Sequence, residues 1–333
     1  MKTKPNILTR LHAWCLPKFA ENVPLGRRYL RFSPVFLHVI SHPETAYGIE
    51  PLYGYWMWAP VRRYLKTAWA APVSRVERLF CIAVGLTTGP LWNYFWHQMA
   101  IIIDVRWRAK RTTAVLHDAL LDLSRRRTPQ QTLRVDVIGA GSGCYTIDAY
   151  LSAAAAGVTN MSFHFLDKDP GTYRLAREYA TQRGIPNETF ESVFPFAEVD
   201  ILPALLGPSP STRRCDIALL IGLGDHIDKD PRARERHDSC SVADVRDTNR
   251  NLIGIYQQLH SGLPPDGVFI TSFVSHNVEE KFLAKVVKWR HRHRTWEMLQ
   301  VILDLSGWTG CRREHHPAPH AVEHVVVLRK ESL

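Results

Sequence analysis

VDVIGAGSGCYTIDAYL, residues 135–151, is the stretch on which the reading of this chain turns. Val135, Val137 and Ile138 form a short apolar run that feeds the cluster Gly139-Ala140-Gly141-Ser142-Gly143. A helix-compatible segment begins at Tyr145 and carries Ile147 and Leu151 at helical spacing. Strand, tight glycine turn and helix start together turn backbone N–H groups and the positive end of a helix dipole toward a ligand. Glycine suits such a turn because a side chain would hold the backbone away from the ligand or forbid a positive φ. The spacing is G-x-G-x-G, which differs from the G-x-G-x-x-G of dinucleotide sites and points away from a dinucleotide. A glycine turn that binds nothing is the competing reading, and the rest of the chain must decide between them.

Outward from this stretch the pattern is regular. A helix is expected from Tyr145 to Ala156, an alternating aromatic strand at Met161–Leu166 ending in Asp167, and a helix at Thr172–Arg183 closed by Gly184 and Pro186. A weaker strand around Glu191–Phe196 leads to Asp200-Ile201-Leu202. The continuous apolar run from Asp216 to Gly222 predicts a buried parallel strand. Asp228–Arg246 is charged and reads as a solvated interruption before a helix at Asp247–His260. Strand Val268–Val274, helices Val278–Trp289 and Thr295–Leu305, and a last strand Val322–Leu328 complete the series. Strands alternating with helices predict an α/β fold, a doubly wound, Rossmann-like, mostly parallel sheet.

The N-terminal part is of another character. Residues 1–113 hold sixteen Lys/Arg against five Asp/Glu, so the net charge of +10 belongs to this part and the remainder is nearly neutral. They also hold seven of the ten tryptophans, with the densest aromatic run at Pro51–Trp69. Prolines divide the region into short segments, as expected for a bundle of short helices; Val76-Leu79-Phe80-Ala83 has that spacing. We therefore expect a helical, basic, aromatic-rich cap domain over residues 1–123. A connecting helix (Arg106–Leu123) and the polar run 124–132 then precede a second domain over 133–333. Contact with an acidic partner through residues 1–113 is one reading of the charge; a nucleic-acid platform fits less well, because the arginines form no clear stripe. Leu79–Ile103 carries no charge, but Gly89-Pro90 interrupts it, so two buried helices are expected there and no membrane span. Six scattered cysteines with no C-x-x-C pair, and a start without a signal-peptide pattern, fit a reducing cytoplasm.

From about Arg134 to the end the chain resembles the class I S-adenosylmethionine-dependent methyltransferases. The glycine loop 139–143 is similar to the family's first motif, and Asp167, at the tip of the second strand, to the acid that holds the ribose hydroxyls. A carboxylate there can accept two hydrogen bonds from a vicinal diol. Asp200 and Ile201 stand where the family places an acid for the adenine amino group and an apolar wall, and Leu263–Gly267 resembles the turn before the fifth strand. The resemblance implies S-adenosyl-L-methionine as cofactor, held by Gly139, Ala140, Gly141, Ser142, Gly143, Asp167, Lys168, Asp200, Ile201, Gly222 and Leu223. The N- and C-terminal parts more loosely resemble a branch of uncharacterised methyltransferases. One position departs from the pattern. The acid expected two residues before the first glycine is Val137 here, and Asp136 is displaced by one, onto the other face of the strand.

The resemblance implies an enzyme that methylates a small or medium metabolite. The departure at Asp136 keeps a second reaction in view, in which the aminocarboxypropyl group is transferred or cyclised with release of methylthioadenosine, as in nicotianamine and azetidine-2-carboxylate synthases. A non-catalytic binding protein is a third reading, opposed by the intact glycine and Asp167 set. Asp225 and His226 follow the fourth strand, where His226 could serve as base and Asp225 as its neighbour or as a helix cap. Tyr145 could face the sulfonium or pack in the helix interface. Ser275, His276 and Asn277 are further candidates. His315, His316, His320 and His324 invite a metal, but no cysteine or carboxylate is ordered around them and none is expected. Arg290–Arg294 reads as a solvated basic turn.

Overall fold

A computed structural model describes residues 7–30, 33, 75–76, 79–80, 82–83, 98–128, 130–207, 215–228, 241–287 and 291–331. The aromatic run 51–69, most of 79–103, most of the charged segment 228–246, Arg290, Cys81 and Cys240 lie outside these residues. The chain divides into two units: residues 1–107, 276–291 and 318–322, and residues 108–275, 292–317 and 323–333. The sequence places its boundary at the polar run 124–132, whereas this division falls at 107/108, inside a helix.

The first unit contains helices α1 (Ile7–Glu21) and α2 (Val23–Leu30) and the opening turns of α3 (Ala100–Arg126). Two buried carboxylates organise it. Both oxygens of Glu279 accept backbone N–H bonds, from Ala100 and Ile101 at 2.9 Å, which caps α3. Asp104 accepts from the N–H groups of His320 and Val322, at 3.2 and 2.9 Å. Burial pushes the Glu279 carboxyl up to about 7, against the lowering effect of its two N–H donors. The helix expected at Val278–Trp289 is a short α segment, Glu280–Phe282, that runs into a π turn, Leu283–Val287; Lys288–Trp289 lie outside the described residues.

The second unit is built on seven strands: β1 (Leu133–Ile138), β2 (Met161–Asp167), β3 (Phe196–Glu198), β4 (Ile217–Leu220), β5 (Val268–Val274), β6 (Arg312–Pro317) and β7 (Glu323–Arg329). Their order is β3-β2-β1-β4-β5-β7-β6, parallel except that β7 runs antiparallel to both neighbours. Every residue of β4 and β5 is buried, as a central strand covered on both faces requires. The α/β doubly wound reading of the sequence therefore holds. The strand order reverses between β1 and β4, and such a switch point opens the crevice in which α/β sheets take ligands.

Helices α4 (Cys144–Ala155), α5 (Pro170–Gln182), α6 (Asn187–Val193) and α7 (Ile201–Leu206) follow β1, β2 and β3 in turn, and α8 (Val242–Thr248), α9 (Arg250–Gly262) and α10 (Trp296–Leu305) flank β5. One side chain cluster stacks Phe163, Phe194 and Phe190, with successive ring centroids 5.2 Å apart. On another, Trp308, Tyr256 and Phe269 pack with α9 and α10, and their polar atoms are paired. Trp308 Nε1 donates to Tyr256 O at 3.2 Å, and Tyr256 Oη meets Thr271 Oγ1 at 2.9 Å.

Three local expectations are corrected. Residues 187–193 are helical, not the start of a strand, because Phe190 and Phe194 bury at helical spacing; β3 is only three residues long. The helix expected at Asp247–His260 is two helices broken at buried Asn249, whose Nδ2 donates to Val245 O at 3.0 Å. Strand β6 carries no strand signal in the sequence. Its sequence, RREHHP, has the polar composition of a sheet edge and lacks an apolar run.

Candidate active site

The glycine loop leaves the carboxyl end of β1 with Gly139, Gly141 and Gly143 all at positive φ: 65°, 56° and 59°. Two of them are also sterically required. A Cβ on Gly143 would stand 2.5 Å from the Phe165 ring, and one on Gly139 would stand 2.8 Å from Leu223 Cδ2. The second contact sets the β1 loop beside the β4 loop. Ala140, Ser142 and Gly143 are buried, while Gly139 and Gly141 are partly open. Gly139 and Ala140 both donate to Leu166 O, at 2.8 and 3.3 Å, which fastens the loop to β2.

Asp167 lies at the tip of β2, half-buried. Its Oδ2 accepts the Gly141 N–H and its Oδ1 the Asp169 N–H, both at 3.0 Å. A carboxylate offers about four lone-pair directions, so two remain for a ligand. Lys168 is exposed. Asp169 caps α5, taking the Gly171 N–H at 2.7 Å, with Pro170 at the first helical position. Asp200 is exposed and caps α7 through Leu202 N at 3.3 Å, whereas Ile201 is buried.

Asp136 and Val137 face opposite sides of β1, as their alternation demands. Asp136 and Ile138 line a small cavity of about 40 Å³ with Ile201, Leu205, Cys215 and Leu259. His164 Nδ1 lies 3.6 Å from the Asp136 carboxylate. Burial, with Asp136 close by, pushes the Cys215 thiol well up, which disfavours the thiolate.

At the end of β4, Gly222 has φ 75°, and its N–H donates to Ser272 Oγ at 2.8 Å. The Arg108 guanidinium stands 3.3 Å from where a Gly222 Cβ would be, and its Nη1 meets both oxygens of buried Glu323, at 2.9 and 3.0 Å. Leu223 and His226 are half-buried, and His226 N donates to Leu223 O at 2.9 Å within the 3₁₀ turn Gly224–His226. Asp225 is buried, and its Oδ1 accepts the Val274 N–H at 3.1 Å. That bond braces the β4 turn against β5, a use outside both readings of Asp225. Tyr145 is buried, 7% exposed, and its carbonyl accepts from Thr113 Oγ1 at 3.1 Å.

The basic turn is corrected most strongly. Arg292, His293 and Arg294 are buried, and Arg294 is 1% exposed. Its guanidinium donates to Asn249 Oδ1 and Gly224 O at 2.9 Å and to Ile227 O at 3.2 Å. Burial lowers its pKa, while Asp225, Tyr256 and Asp228 act to keep it charged. The planar fork of donors reaches three separate acceptors at once. The sequence signal for this role was hidden, because RHRHR has the composition of a solvated turn.

The four C-terminal histidines are divided between the two faces of the β6–β7 hairpin and its turn. His316 meets Arg111 Nη2 at 2.9 Å, and His320 donates its backbone N–H to Asp104. His315 and His324 share the other face and meet each other, His315 Nε2 to His324 Nδ1, at 3.0 Å. His324 Nε2 in turn lies 2.8 Å from Ser275 Oγ.

No family model matches the chain, and no curated protein matches it. Solved structures do. A possible exported protein from Bordetella parapertussis is similar over 94% of this chain and 97% of that one, at 13% identity and a TM-score of 0.54. An O-methyltransferase family 2 protein from Planctomyces limnophilus, in complex with apigenin, is 16% identical over 98% of this chain and 97% of its own, with a TM-score of 0.42. Magnesium protoporphyrin IX methyltransferase from Synechocystis, with bound SAH, is 14% identical over 70% and 87%, with a TM-score of 0.44. At such identities the likeness is one of fold. The chain carries a Rossmann-like α/β fold, the fold that its resemblance to the class I S-adenosylmethionine-dependent methyltransferases leads one to expect.

Proposed function

We propose that this protein is an S-adenosylmethionine-dependent transferase that methylates a small or medium metabolite. The observation that carries the reading is the pairing of the glycine loop with Asp167 at the ends of β1 and β2, beside the switch point of the sheet. Three residues with positive φ shape a turn whose own N–H groups are tied within the chain, and Asp167 keeps acceptor capacity for a vicinal diol. Gly222 and Leu223 extend this rim onto β4. In such a transfer the sulfonium is already activated, so the protein's part is to position the reactants and to accept a proton. His226, half-buried at the β4 end, is our first candidate for that acceptor, with Asp225 bracing its turn and Tyr145, after the glycine loop, as a wall toward the sulfonium. Asp200 and Ile201 flank the adenine end, and Lys168 its solvent edge.

A second reading keeps the cofactor and uses its aminocarboxypropyl group. Asp136, turned to the opposite face from Val137 and engaged near His164 and Cys215, favours it, because the acid that would tether the amino-acid tail is then missing from its usual place. The scattered cysteines support a reducing, cytoplasmic setting; Cys15, Cys144, Cys215 and Cys311 are thiols. Among the described residues no helix is long and apolar enough to cross a membrane. The excess positive charge of residues 1–113 supports an acidic partner there.

Titration calorimetry with S-adenosylmethionine and S-adenosylhomocysteine, followed by mass spectrometry of the products, tests these readings. S-adenosylhomocysteine formed with a methylated acceptor is the expected result. Methylthioadenosine above its spontaneous rate would transfer support to the second reading, and absence of binding would end both.

A further inference from the structure

At the β5 end of the sheet, a serine and two histidines that are far apart in sequence form a hydrogen-bonded series. Ser275 directly follows β5, and its single hydroxyl proton can be donated to His324 Nε2, at 2.8 Å, or to Arg294 O, at 3.3 Å. His324 Nδ1 lies 3.0 Å from His315 Nε2. The register explains the convergence. His324 pairs with Phe273 across β5 and β7, and His315 pairs with Val326 across β6 and β7, so strand alternation puts all four side chains on one face.

Aromatic plates fix both imidazoles. Phe273 stacks on His324 at 4.3 Å and 5°, and Trp296 stacks on His315 at 4.1 Å and 9°. Exposure rises along the series beyond His324, which is 6% exposed. His315 is half-buried, and Glu297, in the first turn of α10, is exposed and interacts electrostatically with His315. The series thus runs from half-buried Ser275 through buried His324 to half-buried His315 and exposed Glu297.

We propose that Ser275, His324 and His315, rather than His226, form a proton-accepting chain that deprotonates a hydroxyl acceptor as it attacks the sulfonium. The proposal rests on the cofactor reading above, since β5 stands two strand spacings from β1, about 10 Å along the rim. In the step, the acceptor oxygen bonds to the transferred carbon, and the carbon–sulfur bond breaks with its electron pair going to sulfur. The acceptor proton passes to Ser275 Oγ as the serine's own proton passes to His324 Nε2. His324 gives its Nδ1 proton to His315 Nε2, and His315 releases its other ring proton to water beside Glu297. Hydroxyls are the substrate class that most needs this chain, because a phenol near pKa ~10 is protonated at neutral pH whereas a thiol, near ~8.5, supplies a larger fraction of its own anion. Burial and neighbouring His316 on β6 hold His315 below the usual histidine range, against Glu297 on α10, so it is neutral and able to accept at pH 7.

The direction of the chain is a question of tautomer, and imidazole ¹⁵N NMR of the full chain answers it whether or not any cofactor binds. The expected state has His324 protonated at Nδ1 and bare at Nε2, with the Nε2 signal moved in Ser275→Ala. A proton on Nε2 overturns the proposal, since the imidazole would then donate to the serine. A second measurement compares phenols with thiophenols as alkyl acceptors. His324→Asn and Ser275→Ala should lower the phenol rate about 10²-fold relative to the thiophenol rate, with S-adenosylmethionine affinity by calorimetry within about twofold of the parent. An equal fall on both acceptors overturns the chain as a base. Failure of the parent protein to bind S-adenosylmethionine would overturn the cofactor reading, and the tautomer would still decide the chain.

Discussion

At the ends of β1 and β2 the groups that set the structure are mostly main chain: three glycines at positive φ, loop N–H groups bonded within the chain, and one carboxylate that ties them down. At the ends of β5, β6 and β7 they are side chains: Arg294 satisfying three acceptors, and two imidazoles clamped between aromatic rings. The first half is written within a few consecutive residues. The second draws on Asn249, Ser275, Arg294, His315 and His324, which only the fold brings together. The contrast teaches that a backbone-built site tolerates few substitutions at its glycines, whereas a side-chain-built site fails through the loss of a single central partner.

Arg294→Met should give the largest effect. It strips donors from Gly224 O, Ile227 O and Asn249 Oδ1 and removes a buried charge that Asp225 feels, at a cost of about 3–5 kcal/mol. Urea unfolding measures it, and a loss under about 1 kcal/mol would show that this half does not hang on one side chain. Gly143→Ala comes next, with about 2–3 kcal/mol lost from left-handed strain and the collision with Phe165, together with cofactor binding. An unchanged denaturation midpoint would break the claim that backbone conformation governs the first half. Asp167→Ala should weaken S-adenosylmethionine about 10- to 100-fold, the worth of its charge-assisted bonds; equal affinity in calorimetry would remove Asp167 from the ribose role.

The smallest effect is on pH dependence. His315 has its folded pKa below the unfolded value of about 6.5. Below that value the unfolded chain binds a proton that the folded chain refuses, so stability is full above pH 6.5 and declines as pH falls. His315→Gln should flatten the decline between pH 7 and 5 in thermal unfolding. An identical slope in both proteins would show that the stacked imidazole titrates as if free.

The same contrast explains what was legible in the sequence. Glycine spacing reports backbone conformation directly, and continuous apolar runs report buried parallel strands, so β1, β2, β4, β5 and the 139–143 loop could be placed before any coordinates. Arg294 could not. In sequence it is one basic residue among five alternating Arg and His, and its burial follows from acceptors on residues 224, 227 and 249. Strand β6 escaped for a related reason, because its pairing with β7 is made by backbone groups while its side chains remain those of an exposed edge. The helix break at Asn249 was equally silent, since the side chain that occupies it is satisfied by a residue 45 positions away.

The latch formed by Asp167 on Gly141 has a consequence in time. The bonds that hold the loop lie within the chain, so the entropy of fixing its left-handed residues, about 1–2 kcal/mol each, is incurred in folding and not in binding. A molecule arriving at this rim meets a surface already set, and capture waits on diffusion and desolvation instead of loop rearrangement. Observed association rates should then rise linearly with ligand concentration and show no plateau, the kinetic signature of a rim that does not have to open or close.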